Sequence, residues 1–290
     1  MGIKLYQNQA ELLLKEYVLA DSSIPYTSII GGIFASKVVY DLTQVISAIY
    51  FKSYASLSKF QRVEWNNRAI STLHAIFITS ISLYFVFWSD LFSDHQFAGL
   101  ITLRCSQLST FALGVSMPEV TIVIIAADVG GVMNIMLVSV GYFLTDLGMI
   151  FWFYPALGGF EYVIHHLLSI VAVAYAMLTG EGQLYTYMVL ISETTTPGIN
   201  LRWYLDTSGM KRSRTYVING VVIFFAWLVA RIILFLYLFF HFYLHYDQVK
   251  RMHTFGLFLV SVVPLVLTVM NLMWFGKICK GLKKTLAKRQ

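Results

Sequence analysis

Five ionisable side chains sit in apolar stretches of this chain and have chemistry to offer: Asp146, the adjacent His165 and His166, Glu193 and Arg231. An imidazole can accept or deliver a proton near neutral pH or attack as a nucleophile, and a neighbouring carboxylate fixes its tautomer and favours its protonated form. The histidines lie in "FEYVIHHLLSIVAVAYA" (160–176). Side chains of adjacent helical residues point about 100° apart, so one narrow site does not use both rings equally. Either one ring works while the other orients it or packs, or both are hydrogen-bonded and hold helices together. Asp146 precedes the turn "YPALGG" (154–159) by about eight residues, and the histidines follow it by about six or seven. At about 1.5 Å per helical residue, the depths of all three agree within a few ångströms. His165, His166 and Asp146 are therefore the candidate catalytic group and the candidate polar end of a binding cavity.

A second unusual stretch is "LISETTTPGINLRWYLD" (190–206). Pro197 removes a backbone donor and frees the carbonyl of Glu193, which predicts a broken helix. Such a break is tolerated at membrane depth where it faces protein or a watery cavity. Ser192, Glu193 and Thr194 to Thr196 put a polar band there, with Asn200 one turn on. This segment reads as a cavity wall, the alternative being a kink whose hydroxyls cap their own backbone. Arg231, on the next span, lies near the depth of Glu193, and the two are expected to pair. The candidate binding set is His165, His166, Asp146, Ser192, Glu193, Asn200 and Arg231.

These groups need an apolar scaffold to position them. Hydrophobic residues make up 58% of the 290 positions and charged residues only 12%, half the share usual in a soluble domain. A bilayer core takes about 20 apolar residues per helix. Candidate spans are 26–50, 70–89, 132–154, 161–179, 183–205, 215–240 and 254–276, which predicts an all-α, polytopic membrane helical bundle of about seven spans. Lys37 and Asp41, inside the first span, are four apart and can pair on one helix face; each ionisable group within a span costs about 2.5–3.5 kcal/mol on insertion scales. The basic residues of 52–69, 206–214 and the tail "KICKGLKKTLAKRQ" fall on one side of the bundle, which the Lys/Arg bias makes cytosolic. Cys105 and Cys279 then lie on opposite sides. The net charge of +6 gathers at span ends, which argues against nucleic acid as a partner. Dinucleotide, P-loop, CxxC, HExxH and Gly-x-Ser-x-Gly signatures are absent from the sequence, and no metal or cofactor is expected. Asp128, in "IIAADVGG", is an isolated carboxylate.

Four stretches in order, "WNNRAISTLHA" (65–75), "VGYFLTDLGMIFWFYPALGGFEYVIHH" (140–166), "SETTTPGINLRWYLD" (192–206) and "NGVVIFFAWLVARI" (219–232), resemble the TLC-domain membrane proteins, in particular the branch outside the ceramide synthases that includes plant members. The resemblance covers about 60–280. It implies an endoplasmic reticulum protein with a six-helix core around a lipid-accessible central cavity. The domain plan that follows is an N-terminal segment with a first span (1–59), the TLC domain (60–280) and a basic cytosolic tail (281–290). Within it, "MPEVTIVIIAADVGGVMNIMLVS" (117–139) interrupts the pattern of relatives, as a genuine insertion or as retained non-coding sequence. In the ceramide synthase branch a His-His pair is followed by Thr, then by His-Asp and a further Asp. His165 and His166 match the pair, Ser169 takes the Thr place, Ser192 and Glu193 stand for His-Asp, and Thr196 for the further Asp. Three readings follow: lipid homeostasis through binding or sensing an acyl chain or polar lipid; N-acyl transfer from acyl-CoA; or a cargo or translocation role with membrane protein partners. The softened second motif favours the first.

Overall fold

The computed structural model describes residues 24–87 and 129–287, and the regular structure among them is entirely helical. In chain order the elements are α1 (Ile24–Tyr50), α2 (Lys52–Ala55), α3 (Lys59–Phe87), α4 (Val129–Trp152), α5 (Phe160–Thr179) and α6 (Gln183–Leu190). A 3₁₀ turn (Ile191–Thr195) leads into α7 (Thr196–Thr207). Then come α8 (Arg214–Trp227), a π-helical turn (Leu228–Ile233), α9 (Leu234–Leu244), α10 (Tyr246–Val249) and α11 (Thr254–Ala287). Asp128, Cys105 and positions 117–128 of the interrupting stretch lie outside the described residues; positions 129–139 form the first turns of α4.

Among the described residues, five segments are long and apolar enough to cross a bilayer: Tyr26–Tyr50, Lys59–Phe87, Phe160–Thr179, Arg214–Leu244 and Thr254–Ala287. Met136–Trp152 of α4 is a shorter apolar helix. The span expected at 183–205 is a three-part segment, α6, 3₁₀ turn and α7. The polytopic all-α bundle stands. Helix is the form that satisfies every backbone donor and acceptor within the segment, as lipid demands.

Local chemistry sets several boundaries. Ser58 and Gln61 form a reciprocal capping box at the start of α3: the Gln61 amide donates to Ser58 Oγ (3.3 Å) and the Ser58 amide to Gln61 Oε1 (3.0 Å). Helix α5 stops at Gly180, whose φ of +77° is left-handed and suits glycine. Ser213 caps α8 by accepting from the Tyr216 amide. Helices α1 and α4 meet backbone to backbone, because a Cβ on Gly32 would strike the carbonyl oxygen of Val138 and one on Gly141 that of Ile29.

Contacts between loops show which ends lie together. Ser53 reaches Ser208 (3.4 Å), Phe60 packs on Phe153, Tyr204 donates to the Trp65 carbonyl (2.7 Å), and Arg202 reaches Thr285 (3.4 Å). The starts of α3, α5 and α8 therefore share one end of the bundle with the finishes of α1, α4, α7 and α11. Lys52, Lys59, Arg62, Lys211, Arg212, Arg214, Lys280, Lys283 and Lys284 gather at that end, which is called the basic end below. The main core packs Ile78, Met136, Leu137, Val173 and Tyr187 between α3, α4, α5 and α6; a second cluster joins Phe235 of α9 to Leu259, Val263 and Leu267 of α11.

Candidate functional site

The helices diverge toward the basic end and leave a chamber of about 430 Å³. Its mouth is formed by the 155–158 turn, Glu64 at the start of α3, and Lys277 with Ile278 on α11. Its inner walls carry Asp146 from α4, His165 and His166 from α5, Glu193 and Thr195 from the 3₁₀ turn, Thr196 and Asn200 from α7, and Arg231 from the π turn.

Two charged assemblies face each other across it. In the first, Asp146 Oδ2 lies 2.6 Å from His166 Nε2, and Asp146 Oδ1 accepts from Asn67 Nδ2 at 2.6 Å. His166 Nδ1 lies 2.8 Å from the Tyr162 carbonyl. A carbonyl only accepts, so Nδ1 carries a hydrogen; the short Nε2–carboxylate contact then requires a proton between the two atoms as well. Asp146 and His166 thus hold one proton jointly, on a ring fixed at both nitrogens. In the second assembly, Arg231 is nearly inaccessible (5% exposed) and each of its three nitrogens donates a hydrogen bond. Its Nε donates to Thr195 Oγ1 (2.9 Å), Nη1 to Asn271 Oδ1 (3.1 Å) and Nη2 to Glu193 Oε1 (3.3 Å), and its guanidinium lies over Trp227. Glu193 Oε2 accepts from the Thr196 hydroxyl (2.6 Å). The Glu193–Arg231 pair expected from the sequence is present.

His165 belongs to neither assembly. Its Nε2 is 3.9 Å from Glu193 Oε1, beyond hydrogen-bonding distance, and its buried Nδ1 has no partner. Trp274 packs edge-on to the ring. The two histidines therefore differ in kind: His166 is a fixed member of a proton-holding pair, and His165 is a buried ring with hydrogen-bonding capacity to spare.

The 190–206 stretch departs from its expected form. The irregularity lies ahead of Pro197, as a 3₁₀ turn, and Pro197 sits in the first turn of α7, where its missing donor costs nothing. Thr194 and Thr195 hydroxyls donate to the carbonyls of Ile191 and Ser192, as in the kink reading, while Thr195 and Thr196 line the chamber as in the wall reading. Ser192 of the candidate binding set is buried (4% exposed), lies one 3₁₀ turn behind Thr195, and is not among the residues that line the chamber. Asn200 has a structural tie: its Nδ2, with two hydrogens to donate, lies within hydrogen-bonding distance of the Arg68 carbonyl, Ser71 Oγ and Thr72 Oγ1, and its Oδ1 accepts from Arg68 Nη1.

Sequence reasoning missed the α3 wall. The hydropathy window starts that span at 70, whereas the helix begins at Lys59. Arg68, counted with the loop charges, instead stands in the helix, paired with Glu64 (2.7 Å) and stacked on Trp203. The signal was available in the spacing Glu64, Asn67, Arg68, Ser71, one polar stripe of a helix face. His74, two turns deeper, is stacked on Tyr142 at 3.8 Å and belongs to the packing. Deeper in the bundle a separate, narrow apolar cavity of about 40 Å³ is lined by Ser169, Val263, Leu267 and Glu181 among others.

The sequence profile of the TLC domain matches residues 64–280. TLC domain-containing protein 4-B of Xenopus laevis is 27% identical over 250 residues, 81% of this chain and 80% of the relative. TLC domain-containing protein 4 of Homo sapiens is 26% identical, covering 86% and 85% of the two chains, and TLC domain-containing protein 4 A of Dictyostelium discoideum is 23% identical, covering 85% of each. No solved structure matches the chain. These relatives are TLC domain-containing protein 4 members and not ceramide synthases. With three quarters of its length under the profile, the chain belongs to the TLC-domain family of membrane proteins.

Proposed function

We propose that the protein acts in membrane lipid homeostasis by holding a polar lipid or an acyl chain in the chamber, head group against Asp146, His165, His166 and Glu193. One observation carries this reading: a cavity of about 430 Å³ within a membrane bundle, lined by buried acid, base and hydroxyl groups, with His165 Nδ1 unpartnered at its wall. Buried polar atoms are normally satisfied, and a ligand with a hydrogen-bonding head supplies what His165 lacks. The apolar cavity beyond Ser169 suits hydrocarbon. The family resemblance supports the endoplasmic reticulum as the compartment, and the gathering of lysine and arginine at the chamber's mouth supports a cytosolic C-terminus and mouth.

A second reading, N-acyl transfer from acyl-CoA, is favoured by the same unengaged ring, since a base or nucleophile must not be tied up at both nitrogens. A cargo or translocation role draws nothing from the chamber. The test is to purify wild type, His165→Ala and His166→Ala, identify co-purifying lipid by mass spectrometry, and supply labelled acyl-CoA with a long-chain base. Lipid retained by wild type and lost from the variants, without turnover, supports binding. Histidine-dependent product establishes the enzyme instead. Unchanged lipid content in folded variants overturns both.

A further inference from the structure

Helix α1 lies outside the TLC-domain match of 64–280 and touches the bundle by one face only. Gly32, Ser36 and Ser47 are buried on that face. On the opposite side Ile30, Phe34, Val38, Val45 and Ile49 are exposed, and the same stripe carries Lys37 and Asp41, paired at 2.5 Å with side chains 67% and 53% exposed. Apart from the adjacent Lys37 and Val38, successive members of this stripe are three or four residues apart, so they share one helix face. Lys37 is the fourteenth of the 27 residues of α1, about 20 Å from either end. That distance exceeds the reach by which a lysine brings its ammonium to the membrane surface. An ammonium and a carboxylate thus stand at mid-membrane on a face that the described residues of the bundle leave uncovered, where polar groups are expected to meet protein or water.

We propose that this face docks on the same face of a second copy of the chain, with Lys37 of each copy pairing Asp41 of the other. The occupant follows from the charges. Two copies in one membrane share orientation, so a two-fold axis along the bilayer normal sets α1 parallel to its partner. Lys37 then lies about 6 Å above its neighbour's Asp41, one helical turn, a step the lysine side chain spans. Four charges of alternating sign close into a ring without an unmatched group. A hydrocarbon surface offers neither charge a partner, and a face of one charge sign would satisfy only one of them.

The test uses the full-length protein in membranes, with Cys105 and Cys279 changed to Ser. Phe34→Cys should give an oxidative cross-link of twice the monomer mass, whereas Thr43→Cys, nearer the bundle, should not. Lys37→Asp and Asp41→Lys, expressed singly, should each lower the Phe34→Cys cross-link at least tenfold, because like charges then face each other. Expressed together under different tags, the two should cross-link to one another at near wild-type yield. That recovery separates docking from misfolding, which mixing cannot repair. Phe34→Cys remaining monomeric in mass or linking to a different protein overturns the proposal, and so does charge-reversed mixing without recovery.

Discussion

Removing the Arg231 side chain tests the electrostatic core of the chamber. In Arg231→Ala, Glu193 keeps the Thr196 hydroxyl at 2.6 Å but loses the cation at 3.3 Å, and the nearest remaining basic group is His165 at 3.9 Å. Thr195 Oγ1 and Asn271 Oδ1 lose their donors as well. Breaking a buried pair from one side costs about 3–5 kcal/mol, chiefly the penalty of an uncompensated charge. At about 2–4 °C per kcal/mol for a domain of this size, the midpoint should fall by roughly 10 °C. Glu193→Gln placed on top of Arg231→Ala removes that charge and should return about half the loss, leaving the lost hydrogen bonds at about 1 kcal/mol each. The assay is the thermal midpoint of the purified, fluorescently tagged protein, read as the fraction surviving size-exclusion chromatography after heating. A double variant no more stable than Arg231→Ala would refute the reasoning, since the pair would then contribute through shape and not through charge.

Asp146→Asn keeps the volume and the Asn67 side of the site but cannot share a proton with His166. The charge-assisted bond lost is about 1.5–3 kcal/mol, and the imidazole nitrogen resonances of a selectively labelled sample should move to neutral-ring positions; unchanged resonances would count against the shared proton. Gly32→Leu should separate α1 from α4, because the new Cβ meets the Val138 carbonyl, and protease sensitivity of α1 should rise while the 129–287 bundle stays folded. Asn200→Ala removes three hydrogen bonds between α7 and α3, two donated by Nδ2 and one accepted by Oδ1, at about 1 kcal/mol each where a buried partner is left, and should lower the thermal midpoint by several degrees with Arg68→Ala adding little further.

The architecture was legible because apolar length is nearly the whole signal for a membrane helix. Depth was legible too. Counting residues from the 154–159 turn put Asp146 level with the histidines, and the structure brings Asp146 to 2.6 Å from His166. Rotation about the helix axis was not. Adjacent histidines differ by about 100°, and only the packing of α5 against α4, α11 and α6 decided that His166 takes Asp146 while His165 stays unpaired. Helix α3 was read short because hydropathy averages over its polar first turns, hiding Arg68 among loop charges.

Helix α11 runs for 34 residues, roughly 50 Å against a hydrocarbon thickness of about 30 Å, so its last turns project past the lipid. Trp274 and Lys277 stand at the chamber, and Lys280, Lys283 and Lys284 follow within two turns. An anionic solute approaching the opening meets these ammonium groups before anything else, and water screens such attraction within about 8 Å at physiological salt. Inside, contacts are short: Asp146 lies 2.6 Å from His166 and Glu193 3.3 Å from Arg231. Ionic strength should therefore govern how fast the opening captures such a solute and leave its residence time nearly untouched.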